Sequence, residues 1–353
     1  MDAHGDRVPI DAQSIGAPLS RAAIFLVLTI GEQDAQLDQV RDVIGGIDDL
    51  VKTVGFRDLN GDLSCVVGIG SDAWDRLSPG RRPAQLRPLP VIAGDPHTAV
   101  STPGDLLLHI RAERADLCFE LARLTLDALG DAVTLQDETQ GFRYFDSRDL
   151  LGFVDGTANP RGGDVPEATL VDADDDPDFA GGSYVVVQRY VHDLDRWNGL
   201  STTEQELIIG RTKADNVELD DDAAPRKSHK TLATIDDEGT ERDILRDNMP
   251  FGRPGHGEFG TYFIGYTARL WVIERMLERM FLGDPPGDYD QILDVSTATT
   301  GTTFFAPSAA VLAALGDPPD AAAASAPTPA ATEPQDAPAA APSLGIGSLR
   351  PQP

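Results

Sequence analysis

GDLLLHIRAERADLCFELARL (104–124) and GTYFIGYTARLWVIERMLERM (260–280) share a pattern more than an identity. In each, an apolar strand runs straight into an amphipathic helix. The strands read as Asp105–Arg111 and Gly260–Tyr266, the helices as Glu113–Leu129 and Ala268–Phe281. Such a unit recurring within 353 residues points to two domains of similar topology. What precedes each copy agrees. In the first half, residues 21–29 read as a buried strand, and 33–50 as a helix through Leu37, Val40, Ile44, Ile47 and Leu50. A strand at Ser64–Gly70 and a short helix at Ser71–Leu77 follow. In the second half, Ser183–Val191 is a strand and Thr202–Ile209 a helix.

Strands covered by amphipathic helices give the α+β class, with two antiparallel sheets, one per domain. A duplicated ferredoxin-like fold fits. The expected division is an N-terminal arm at 1–14, domains at 15–145 and 146–312, a tether at 313–342 and a terminal peptide at 343–353. Residues 141–182 and 211–258 are long Gly/Asp/Pro-rich insertions with little expected regular structure. Loops of that length inside a compact chain commonly carry function.

Composition narrows the partners. Lys and Arg number 29 against 58 Asp and Glu, a formal charge of −29. A surface so negative repels phosphate backbones and anionic lipid, and suits cationic substrates or metal ions. Neither nucleic acid nor membrane is expected as a partner. Cys65 and Cys118 sit in apolar stretches, SCVVGIG and LCFELA, where a free thiol packs as a small hydrophobe. No disulfide framework, zinc site or C-x-x-C-H attachment is present. MDAHGDRVPIDAQ has neither the basic start nor the apolar core of a signal peptide, and no apolar run reaches transmembrane length. The expected location is the cytoplasm.

Three segments stand out chemically. LGFVDGTANP (151–160) holds Asp155 in a glycine turn, where Gly156 allows close approach of a ligand. ILRDNMPFG (244–252) alternates Arg246 and Asn248 about Asp247, so in extended backbone both point one way. An arginine and an amide on one face can clamp an anionic or peroxidic group. PRKSHK (225–230) carries His229 within the second long insertion. The other histidines read as ordinary. His109 and His192 are strand residues expected to pack and hydrogen-bond. His97 follows Asp95-Pro96 without an evident supporting group, His256 lies in a glycine-rich turn, and His4 is near the chain start.

Together these segments resemble the dye-decolorising peroxidases, in particular the bacterial branch called class B. The G-x-x-D-G signature stands as Gly152-Phe153-Val154-Asp155-Gly156, and IIGRTK at 208–213 also looks like the family. The resemblance covers roughly residues 15–310 and carries the duplicated ferredoxin-like fold with it. It implies one non-covalent haem b per subunit, bound mainly by the second domain, with His229 as the axial iron ligand. His229 would donate its other ring proton to Asp290 or Asp294, which lie four apart and could share a helical face. Family spacing favours Asp290. Asp155 would move protons on the peroxide, Arg246 would stabilise charge as the O–O bond breaks, and Asn248 would orient peroxide or a water. Gly156, Thr157, Arg246 and Phe263 would touch the cofactor.

The implied reaction reduces hydrogen peroxide to water through a ferryl intermediate and oxidises small one-electron donors: dyes, phenolics or Mn²⁺. Surface aromatics among Tyr144, Tyr184, Tyr190, Trp197, Tyr262, Tyr266 and Trp271 could pass electrons. The acidic runs Asp172–Asp178 and Glu218–Asp222 could attract a cation, though solvated loops are the plainer reading. A haem-processing, iron-releasing enzyme of the same fold and a non-enzymatic haem-binding cargo protein are the alternatives. Storage would not need Asp155 with Arg246.

The chain end is different in kind. Residues 317–342 are almost entirely Ala and Pro with a few acidic or small polar residues, an extended tether rather than a core. SLGIGSLR (343–350) then places Leu344, Ile346 and Leu349 between glycines and serines. It resembles the cargo-loading peptide that docks such peroxidases inside encapsulin shells. The implied partner is an encapsulin shell protein, the implied location a bacterial nanocompartment. The body would assemble as a homo-oligomer, a dimer or a hexamer.

Overall fold

The structure, a computed structural model, describes residues 11–221 and 225–316. The Ala/Pro tether from 317 and the peptide with Leu344, Ile346 and Leu349 lie outside the described residues.

Each half builds an antiparallel sheet. In the first, the strands run Ser64–Gly70, Leu106–Ala112, Ala22–Ile30, Val133–Phe142 across the sheet. In the second they run Leu245–Arg246, Glu258–Thr267, Ser183–His192, Thr302–Ala306, with Met249–Arg253 and Ser296–Ala298 as further partners. The two sheets meet edge to edge, Phe304 opposite Gly70 and Phe305 opposite Ile69, so that hydrogen bonding is continuous over ten strands.

Both faces of this sheet are covered, which is why its inner strands read as unbroken apolar runs. Along Ala22–Ile30, Ile24, Leu26 and Leu28 pack with Leu117 and Leu121 of the helix Ala115–Leu129. The alternate residues Phe25 and Val27 pack instead against Val185, Tyr262 and Ile264 of the second half. Phe25 stacks on Tyr262 with ring centroids 4.1 Å apart. Each such buried side chain contributes roughly 1.5–3 kcal/mol.

The helix expected over 33–50 is two, Asp34–Gly45 and Ile47–Gly55, broken at Gly46. Paired glycines cost the helix too much backbone entropy to continue. The insertion 211–258 holds more regular structure than expected. It contains the helix His229–Ala233, the hairpin Ile235–Asp237/Thr240–Arg242, and the strands that carry Arg246 and Met249.

Candidate active site

One face of the second sheet and the helix behind it enclose a cavity of about 1030 Å³, counting its solvent-open mouth. All its lining residues fall between 149 and 296. The period of two along Ser183–His192 turns Gln188, Tyr190 and His192 toward it, and Phe263 joins them from the neighbouring strand. Met276, Leu277 and Met280 of the helix Leu270–Leu282 form an apolar wall.

On one side of the cavity stands His229, first residue of a short helix capped by the Ser228 hydroxyl, which accepts from Thr231 N. Its Nδ1 lies 2.7 Å from Asp290 Oδ2, and Asp290 is fully buried. Asp290 Oδ1 accepts from Ile292 N, so the carboxylate is held at both oxygens. Burial by itself lowers the His229 pKa; the charge and hydrogen bond of Asp290 outweigh it and leave the ring raised. With Nδ1 engaged, Nε2 is the nitrogen left for a ligand. Asp294 serves elsewhere, bonding His97 Nε2 at 3.0 Å and the Tyr289 hydroxyl at 3.3 Å. The two aspartates share no helical face, because Asp290 caps the tight turn Gln291–Asp294 that separates them. His97, expected to lack support, thus has a carboxylate partner.

His192 also lines the cavity but keeps no free nitrogen. Nδ1 meets Ser296 Oγ and Nε2 meets Thr261 Oγ1, each at 2.9 Å. Burial pushes its pKa down to about 4, so it stays neutral. His109 is buried between the two halves, hydrogen-bonded to Tyr266, and His256 lies in a short surface turn.

Asp155, Arg246 and Asn248 line the same cavity. Asp155 Oδ1 accepts from Gly156 N at 2.7 Å and from Asn248 Nδ2 at 3.4 Å, which leaves Oδ2 uncommitted. Burial lowers the Arg246 pKa, and its Nη2 meets only the thioether of Met276, at 3.8 Å. No carboxylate forms a salt bridge with this guanidinium among the described residues. Partly buried, it has the charges of Asp155 and Asp243 nearby but in no direct bond, so its donors remain available to a ligand.

Gly156 and Thr157 do not line the main cavity. Gly156 adopts φ +71° and turns the chain away directly after Asp155, into a smaller adjoining cavity. Thr157 accepts from Asn216 Nδ2. Two unexpected residues support the site. Asn159 clasps both backbone groups of Arg246, accepting from its N at 3.0 Å and donating to its O at 2.7 Å. Asp149 faces the cavity, and burial, then the charge of Asp155, push its pKa up to about 7.

Of the aromatics considered as surface relays, Tyr184, Tyr190, Trp197, Tyr262 and Tyr266 are buried; Tyr144 and Trp271 are partly exposed. The acidic runs are engaged in part, Asp175 with Arg269, Asp178 with Arg81, Glu218 with Lys230, and Asp222 lies outside the described residues. No cluster of three metal-ligating side chains occurs among the described residues.

Comparison with known proteins turns this geometry into a class. Residues 12–143 match the family described as Dyp-type peroxidase, N-terminal, and 146–311 match Dyp-type peroxidase, C-terminal. The chain is a peroxidase. More narrowly, it belongs to the DyP-type peroxidase family, and its relatives are close. It is 54% identical to a dye-decolorizing peroxidase of Mycobacterium tuberculosis over 98% of both proteins. It is 58% identical to an arginine-to-leucine variant of DypB from Rhodococcus jostii RHA1, solved in complex with haem. That match covers 88% of this chain and 100% of the other with a TM-score of 0.85. An asparagine-to-alanine form of the same protein is solved in complex with manganese. The encapsulated DyP-type peroxidase of Mycobacterium smegmatis is 55% identical over 86% of this chain and 98% of that one, TM-score 0.84.

Proposed function

We infer that the cavity would hold one non-covalent haem b, its iron held by His229, and that the chain uses it to reduce hydrogen peroxide at the expense of one-electron donors. The observation that carries this is that one largely apolar cavity is lined by both a carboxylate-backed histidine and a guanidinium that makes no salt bridge among the described residues. The donor set fits the group: an imidazole nitrogen free for iron, and an apolar wall of Met276, Leu277 and Met280 for a macrocycle. When bound, haem supplies the redox chemistry, two electrons to the peroxide recovered singly from donors.

This chain's residues do the rest. Asp290 takes the Nδ1 proton of His229 in a hydrogen bond, orienting the ring and raising its basicity as a ligand. Asp155 Oδ2 accepts the proton from one peroxide oxygen and returns it to the other. Asn248 Nδ2 and Gly156 N hold Oδ1 and so aim Oδ2. The Arg246 guanidinium stabilises negative charge on the oxygen that departs. The test is titration of haemin into haem-free full-length chain, followed by peroxide and a dye. We expect saturation at one haem per chain and dye oxidation that requires both haem and peroxide. Haem uptake without peroxide-dependent oxidation would overturn the reading.

We also propose that residues 343–350 dock the enzyme on an encapsulin shell, placing it inside a cytoplasmic nanocompartment. The tail's apolar residues on an Ala/Pro tether support this, as does likeness to an encapsulated relative. The body, 15–145 and 146–312 in this reading, keeps the chemistry in its second part. Deleting 343–353 is expected to abolish co-purification with a co-expressed shell at unchanged peroxidase activity. Loading that survives the deletion would sink the docking role.

A further inference from the structure

The strand that presents Arg246 is interrupted just where the site begins. Leu245 and Arg246 pair with Tyr266 and Gly265, and pairing resumes with Met249 opposite Tyr262, in one register. Between them, Asp247 N still donates to Ile264 O at 3.2 Å. Ile264 N, however, donates to the side chain of Asn248, also at 3.2 Å, rather than to backbone. The ladder alone therefore holds this step weakly.

Side chains take over. Asn159 clasps the backbone of Arg246 from one direction. From the other, Asp247 points away from the cavity into the space between the two halves, where its Oδ2 meets Arg111 Nη1 at 2.5 Å. Arg111 belongs to the strand Leu106–Ala112 of the first half, and its other amino group donates to Ser14 O. His109 lies alongside, 3.8 Å from the same carboxylate. Arg111 and Asp247 are each 1% exposed.

Stability does not account for this pair. Taking both charges out of water is expensive, and apolar residues of similar volume are often as stable or more so. The pair is not even fully satisfied: Asp247 Oδ1 and Arg111 Nε lack partners among the described residues. Position accounts for it better. A slip of one residue would turn Arg246 and Asn248 away from the cavity and Asp247 into it. Only the register seen here sets the Asp247 carboxylate against Arg111.

We propose that Arg111, supplied by the first half of the chain, is a positioning residue for the peroxide site in the second. Its buried ion pair with Asp247 sets the register and aim of Arg246 and Asn248. The proposal rests on reading Arg246 as the group that stabilises an anion in the cavity.

The test uses the haem-loaded full chain titrated with fluoride, a small anion whose affinity, read from the visible spectrum, reports donation by Arg246. Arg111→Met/Asp247→Leu is expected to melt at or above the native temperature yet bind fluoride at least about tenfold more weakly, since small misplacements of a positioned donor are costly. Unchanged fluoride affinity would overturn the proposal. If the double variant does not fold, Arg111→Lys carries the test. One ammonium cannot reproduce the fork between Asp247 and Ser14, so affinity, read well below the melting temperature, should fall several-fold in the folded protein. Unchanged affinity there is equally fatal. Arg246→Leu is the reference. Loss in that variant alone removes only the role of the pair; loss in neither removes the reading of Arg246, and the proposal with it.

Discussion

Replacing Arg246 by leucine is expected to slow the reaction with hydrogen peroxide by about 10²–10³-fold, the usual cost of deleting one preorganised donor at a developing charge. Haem content should remain native, because His229 is held by Asp290 rather than by Arg246, whose side chain hydrogen-bonds only Met276. The size of the effect follows from its surroundings. Burial lowers its pKa, the charges of Asp155 and Asp243 act the other way, and no carboxylate bonds it among the described residues, so its donors are held near the cavity and left for a ligand. Stopped-flow mixing of the haem-loaded variant with peroxide measures the rate directly. A native rate would remove Arg246 from the chemistry and leave Asp155 as the sole actor on that side.

His229→Ala is expected to abolish peroxide-dependent dye oxidation and to remove the histidine signature from the haem spectrum. Among the cavity residues, His192 cannot replace it, since both its ring nitrogens are engaged and burial holds it neutral. Added imidazole should restore part of the activity by refilling the vacated space. Asp290→Asn should be milder, about 10–100-fold in haem affinity or activity, as is typical when the partner behind a ligating histidine is changed. Unaltered iron ligation in His229→Ala would sink the axial assignment. Asp290, fully buried, would also lose a partner, so a fall in melting temperature is expected alongside.

Much of the fold was legible because its signals are local. Ser64–Gly70, Ser71–Leu77 and Thr202–Ile209 occupy the very spans that periodicity and flanking glycines and serines mark. Val133–Phe142 escaped notice because it is a mostly exposed edge strand whose residues, VTLQDETQGF, carry little apolar signal. Thr302–Ala306 is short, and its role as the strap joining the two sheets is a matter of what lies beside it. In the site, the shared direction of Arg246 and Asn248 was readable from the period of two alone. The cavity floor of Gln188, Tyr190 and His192 was readable in principle from the same rule applied to its strand, had one known which face was inward.

The haem site opened as three segments in a chain, and the chain by itself determined a good deal about them. Residue types and local spacing settle which groups can ionise, which share a face, and that the pattern is that of a DyP-type peroxidase. Only the tertiary structure decided that Asp290 rather than Asp294 backs His229, from 61 residues away. It alone brought Arg111 of the first half against Asp247, 136 residues on. The reason is physical: backbone periodicity dictates the direction a side chain takes from its own element, while its partner depends on how distant elements pack.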